Sequence, residues 1–152
     1  MNASVIWSKG LSFTGQADSG FQVSLGASPS VGGENDGFRP LELIAVSPAG
    51  CTAMDVISIL TKKRQVISNF SVEVQTTQSP DHPKVFTHIT ILYNIVGQNV
   101  EEMAARRAIE LSATNYCPAQ AMLGKVIPMD LVYEIHNDDG NIIKGNVFLD
   151  KP

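Results

Sequence analysis

What this sequence has little of narrows its function before any motif is read. Two cysteines, 66 positions apart in a chain of 152 residues, are too few for the disulfide framework of a small secreted domain. Positive charge is scarce. With a net charge of −4 and Lys62, Lys63 and Arg64 as the one basic cluster, there is no patch for nucleic acid or an anionic membrane surface. Residues 1–9 lack a basic segment followed by an apolar core, so no signal peptide is expected. The most apolar helical stretch, taken to begin after Ser47, falls short of the roughly 20 residues of a membrane span. His82, His88 and His136 have no metal-ligand spacing. Repeats, low-complexity tracts and domain-splitting linkers are missing too. With 43% hydrophobic and 17% charged residues, the chain reads as a single soluble domain, 1–152, in the cytoplasm.

What the chain does have is an apolar stretch between two groups of strand-like segments, residues 39–64, RPLELIAVSPAGCTAMDVISILTKKR. Across residues 52–60 only Thr52, Asp55 and Ser58 are polar, which predicts a central helix buried on most sides and wrapped by sheet. Ser47-Pro48 reads as its start, with Ser47 as N-cap and Pro48 as first helical residue. Residues 41–47 form an earlier helical piece that Pro48 kinks or breaks. Cys51 then falls in the first turn, beside unpaired N–H groups and the positive end of the helix dipole, which favours thiolate. Gly50 leaves room beside the sulfur. Asp55, one turn later on the same face, works against ionisation. Two readings of Cys51 stay open: a reactive thiol, or a buried small hydrophobe.

The remaining elements follow from periodicity. Residues 3–8 and 11–16 alternate weakly, and Phe21, Val23 and Leu25 repeat at every second position, predicting a three-stranded meander. Residues 27–38 read as an exposed loop. Phe70, Val72 and Val74 mark a half-buried strand. Residues 85–96 mark a second, with Val85, Thr87, Ile89, Ile91, Tyr93 and Ile95 on one face. A turn at 78–84 joins the two as a long hairpin. Residues 100–116 return to helical spacing, with Val100, Met103, Ala104, Ala108 and Leu111 on one face. Tyr116-Cys117-Pro118 then repeats the Ser47-Pro48 device, with Pro118 opening a short helix through Lys125 and Cys117 at its N-cap. Met129, Leu131, Tyr133 and Ile135 form a further strand, and residues 142–149 add a last one. The order β-β-β-α-β-β-α-β(β) is an α+β plan.

Three blocks in this frame, PLELIAVSPAGCTAMDVISIL, HPKVFTHITILYNIVG and ELSATNYCPAQAML, resemble the OsmC/Ohr proteins (osmotically inducible protein C and organic hydroperoxide resistance), most closely the YhfA-type branch. The similarity covers residues 39–136 and rests on two cysteine blocks at this separation with a hairpin between them. It implies an OsmC-like α+β fold, an intertwined homodimer in which antiparallel sheets from both chains enclose two long central helices. It implies a peroxidatic Cys51 and a resolving Cys117. The Cys51 thiolate attacks an organic hydroperoxide and releases an alcohol. The sulfenic acid condenses with Cys117 to a disulfide, which an external dithiol reduces. No metal or organic cofactor is implied. The apolar surroundings of Cys51 suit organic hydroperoxides over hydrogen peroxide.

The chain departs from the family pattern at the helper residues. The family places a glutamate ten positions before the first cysteine; here Leu41 stands there, and Glu42 is the nearest carboxylate. The family also uses an arginine from the N-terminal strands, whereas this chain has none before Arg39. Arg39 and Glu42 are expected to substitute as catalytic helpers, on condition that Pro48 bends the segment. Two functions of different class therefore stand: a thiol peroxidase, or a non-catalytic, stress-associated dimer that binds a small apolar ligand or senses redox state.

Overall fold

Strand-forming and turn-forming residues segregate along the chain, and the two sheets they build are separate. The computed structural model describes residues 1–149; the last three positions of the expected 1–152 domain lie outside them. Contacts divide the chain into two compact units, Met1–Ile44 and Ala45–Pro152.

In the first unit, β1 (Ala3–Lys9), β2 (Ser12–Ala17) and β3 (Gln22–Leu25) form the expected antiparallel meander. Its tight turns run through Gly10 and Gly20, whose φ of 49° and 81° lie where residues with a Cβ are strained. The loop that follows is tied back to β3, as the Phe38 N–H donates to the Ser24 carbonyl and the Gly26 N–H to that of Phe38.

The long helix, α1 (Pro40–Lys62), starts earlier than expected. Pro40 takes the first helical position, where its missing N–H costs nothing. The Glu42 carboxylate accepts from the Arg39 backbone N–H at 2.9 Å and from the Arg39 guanidinium at 2.7 Å, the reciprocal half of a capping box. With that cap in place, Pro48 is carried inside the helix without breaking it. Ser47 is therefore not an N-cap. Cys51 lies about three turns into α1, away from the positive end of the dipole and not in the first turn as expected.

Burial of α1 also differs from expectation. Its buried residues are Pro48, Thr52, Val56 and Leu60, a single row four residues apart, while Val46 and Met54 are 52% and 69% exposed. One chain does not wrap this helix. At 23 residues it is also long and apolar enough to span a membrane by length and composition, so the length argument fails. What marks α1 as a core helix is the fully enclosed row Thr52, Val56 and Leu60.

The second unit is a four-stranded sheet, ordered β4 (Val66–Gln78), β5 (Phe86–Gln98), β6 (Met129–Asn137), β7 (Ile142–Val147). Hairpins β4–β5 and β6–β7 are antiparallel. The β5–β6 pair is parallel, a departure from the wholly antiparallel plan. Parallel neighbours need a long crossover, supplied here by α2 (Glu102–Leu111), a π-helical turn (Ser112–Tyr116) and α3 (Pro118–Leu123). Ile89, Ile91, Tyr93 and Ile95 of β5 and Leu131, Tyr133 and Ile135 of β6 are buried on one sheet face. Val85, expected on the inner face, lies exposed just before β5; on the strand itself Thr87 is exposed and Phe86 is buried instead, next to a register irregularity at Thr77–Gln78. Helix α2 buries Ala104, Ala105, Ala108 and Ile109, so its inner face is rotated from the expected one and Met103 points out, 83% exposed.

Candidate functional site

The second cysteine is placed by local backbone chemistry. Helix α2 widens into the π-helical turn, closed by the Cys117 N–H donating to the Ser112 carbonyl five residues back at 2.8 Å. Pro118 then opens α3, and Cys117 is its N-cap as the sequence predicts: its sulfur accepts from the Gln120 N–H at 3.4 Å. The same widened turn points Ser112 inward, where it is fully buried.

Opposite it stands α1. Cys51 and Asp55 are four residues apart and leave the helix on one face. The two sulfurs and a carboxylate oxygen of Asp55 all lie within 4.8 Å of one another. Both cysteines are free thiols; Cys51 is half-buried and Cys117 is 2% exposed. The sequence singles out the cysteine pair and puts Asp55 on the Cys51 face, where the structure also has it.

A row of buried polar groups supports this cluster. Thr52 Oγ1 lies 2.9 Å from Tyr93 Oη and 2.8 Å from Ser112 Oγ, Ser112 donates to Asp55 at 2.9 Å, and Gln120 Nε2 donates to Tyr93 at 3.0 Å. Each hydroxyl has a single proton. Because Ser112 gives its proton to Asp55, Thr52 must donate to Ser112 and Tyr93 to Thr52. The row therefore has one direction, from Gln120 through Tyr93, Thr52 and Ser112 to the Asp55 carboxylate. Sequence reading missed Ser112, Tyr93 and Gln120, which each sit in an unremarkable helical or strand pattern. Thr52 was visible only as a polar position on an apolar helix.

Burial separates the two thiols. Burial, together with the adjacent Cys51, pushes the Cys117 thiol up to about 12, against an opposing pull from the Gln120 N–H. Cys117 is thus a neutral thiol near neutral pH. Burial likewise raises the Tyr93 hydroxyl to about 12, so Tyr93 keeps the proton it donates along the row. Cys51 is the more accessible sulfur of the two.

Arg39 and Glu42 meet each other in the first unit, with the guanidinium also donating to Asn35 Oδ1 at 3.1 Å. Glu42 is held below the usual carboxylate range, first by the Arg39 backbone N–H and then by its side chain. Pro48, on whose bend their helper role depends, stands inside a continuous α1.

Comparison with known proteins gives a consistent picture. Residues 33–132 match the family described as OsmC-like protein. The chain is 33% identical over 138 residues to Protein YhfA of Escherichia coli (strain K12), a span of 89% of this chain and 98% of that protein. The crystal structure of a hypothetical protein from Aquifex aeolicus VF5 superposes with a TM-score of 0.76 at 29% identity, covering 88% of this chain and 94% of that one. An organic hydroperoxide resistance protein from Elizabethkingia anophelis gives a TM-score of 0.65 at 18% identity, covering 90% and 94% of the two chains; that likeness is one of fold.

Proposed function

This chain belongs to the OsmC-like family, and from that premise we propose that it is a cysteine-dependent peroxidase acting on organic hydroperoxides. The observation that carries the reading is the approach of Cys51 and Cys117 within 4.8 Å, one accessible and one buried. In the proposed cycle the Cys51 thiolate attacks the terminal oxygen of ROOH. The O–O bond breaks, the alkoxide takes a proton and leaves as alcohol, and Cys51 becomes a sulfenic acid. The Cys117 sulfur then attacks the Cys51 sulfur and expels water, forming a disulfide. Its sulfurs must close to about 2.05 Å. An external dithiol takes the disulfide back to two thiols.

Accessibility and burial set the order of attack. Cys117, raised to about 12, is a poor first nucleophile, which leaves Cys51 to meet the peroxide. An apolar furrow of about 350 Å³ runs along α1 beside Gly50, bounded by Val46, Ala49, Ala53, Val72 and Val74, on a face of the helix turned away from Cys51; the preference for organic hydroperoxides rests on the family resemblance. The exposed Val46 and Met54 on α1 support a homodimer in which a second copy covers that helix. The proposed compartment is the cytoplasm, where reductants keep thiols reduced. Arg39 and Glu42 hold a subordinate place: a tenfold or greater loss of rate in Arg39→Ala would keep them as helpers, and an unchanged rate would confine them to capping α1.

The test is stopped-flow oxidation of the reduced protein by cumene hydroperoxide and by hydrogen peroxide. Oxidation by the organic peroxide is expected to be fast, absent in Cys51→Ser and arrested at the sulfenic acid in Cys117→Ser. A rate no better than that of a free thiol would overturn the proposal.

One observation favours the ligand-binding alternative. A half-open pocket of about 820 Å³ beside α3, whose walls mix Val126, Ile127 and Leu131 with Gln120, Lys125 and Asp130, is of a size to hold a small molecule. If binding is the function, Cys51→Ser keeps its ligand.

A further inference from the structure

The cluster at Cys51 has a second chemistry available to it. We propose that Cys51, Asp55 and Cys117 bind one thiophilic divalent cation of the zinc class through two sulfurs and a carboxylate oxygen. The inference does not rest on the peroxidase reading; it sets a cation against peroxide for the same two sulfurs.

Geometry is the first support. The three donor atoms lie within 4.8 Å of one another. Zinc–sulfur bonds of about 2.3 Å and zinc–oxygen bonds of about 2.1 Å in a tetrahedron put donors about 3.6 to 3.8 Å apart. Contraction by about 1 Å, shared among three side chains that already converge, completes the set. The donors also come from rigid places: Cys51 and Asp55 at i and i+4 of α1, and Cys117 at the N-cap of α3.

The kind of donor selects the kind of metal. Two sulfurs favour zinc and other soft or borderline ions, and exclude magnesium and calcium, which take oxygen. Three protein ligands leave the fourth position open, the pattern of an exchangeable site rather than a closed structural one. Each thiol that binds the cation as thiolate gives its proton to solvent.

Outer contacts for the ligands are already built. Ser112 donates to Asp55 Oδ2 at 2.9 Å and is held in turn by Thr52 at 2.8 Å, while the Gln120 N–H donates to the Cys117 sulfur at 3.4 Å. Such contacts orient metal ligands and tune their donor strength. The His88–Asp130 pair, by comparison, is exposed and brings no sulfur.

The experiment is an anaerobic titration of the reduced, chelator-treated full chain with Co²⁺, followed by Zn²⁺. One equivalent of cobalt is expected to give a thiolate-to-cobalt charge-transfer band that zinc abolishes by displacement. Cys51→Ser and Cys117→Ser are each expected to lose the band, and protein oxidised to the disulfide to show none. Ser112→Ala, which touches no metal, is expected to weaken zinc by about 10- to 100-fold. Far-UV circular dichroism accompanies each variant, and the half-buried Cys51 variant decides the matter if the Cys117 variant fails to fold. Absence of the band in wild type, or a band that survives Cys51→Ser, would overturn the proposal. Peroxide kinetics on metal-free protein keep the two ideas apart. Fast oxidation without a cobalt band sinks the metal site alone, and a band with slow oxidation sinks the peroxidase alone.

Discussion

The hydroxyls of Thr52 and Ser112, 60 residues apart in sequence, meet at 2.8 Å inside the protein. That contact joins α1 to the π-helical turn and sits at the middle of the directed row that ends on Asp55. Thr52→Val keeps the shape and removes the hydroxyl, leaving Tyr93 without its acceptor and Ser112 without its donor. The expected loss is about 1 to 3 kcal/mol of unfolding free energy, read from urea denaturation. Thr52→Ser is expected to recover most of it. Equal stability of the valine and serine variants would show that the row is not directed through Thr52.

Alkaline pH should weaken the fold through Cys117. Its thiol is raised from an ordinary 9.0 to about 12 by burial. Between those values the unfolded chain has lost a proton that the folded chain keeps, so stability is fully present below the lower value and declines as pH rises toward the upper one. Tyr93, raised from 10.0 to about 12, acts in the same direction at the upper end of the range. The urea midpoint is expected to fall as pH rises from 9.0 toward about 12. Cys117→Ala is expected to remove the first part of the fall; an unchanged profile in that variant would rule Cys117 out as its source.

Gly50 separates the single chain from the proposed dimer. A Cβ built there meets nothing within 4 Å, and alanine exceeds glycine by about 1 kcal/mol inside a helix. In dilute solution Gly50→Ala should therefore stabilise the monomer by up to that amount. Where α1 packs against a second copy, the added methyl intrudes, and sedimentation velocity should show a weaker dimer. A dimer of unchanged strength would place the interface away from Gly50.

Gly97 makes the opposite case. A Cβ at this position would collide with the Val66 carbonyl of β4 and with the Val100 side chain. Both are fixed, one by the β4–β5 ladder and the other by burial. Gly97→Ala is expected to cost about 1 to 3 kcal/mol as an overpacked position, visible as a lower thermal midpoint. A neutral result would mean that the end of β5 yields easily.

Much of the scaffold was readable because its signals are local. Alternation at Phe70, Val72 and Val74 and along 89–95 gave the hairpin, and Cys117-Pro118 gave an N-cap that the structure keeps. The start of α1 was misread because Arg39-Pro40 and Ser47-Pro48 offer the same local signal. What separates them is the Arg39–Glu42 cap, a contact that Ser47 has no equivalent of. The face of α2 was misplaced for a similar reason: Met103 is apolar, but apolarity alone does not say which side of a helix meets the sheet.

The sequence by itself determined the element types, the presence of two cysteine blocks and the kinship they carry, since these rest on residue identity and short spacing. Tertiary structure decided the rest. It made β5 and β6 parallel neighbours, because only a crossover of this length allows that pairing. It brought Cys117 up to the face of α1 that carries Cys51 and Asp55, and it fixed the Asp55 carboxylate with a serine 57 residues away. It also set the two thiols apart, because burial depends on what folds over a residue and not on the residue itself.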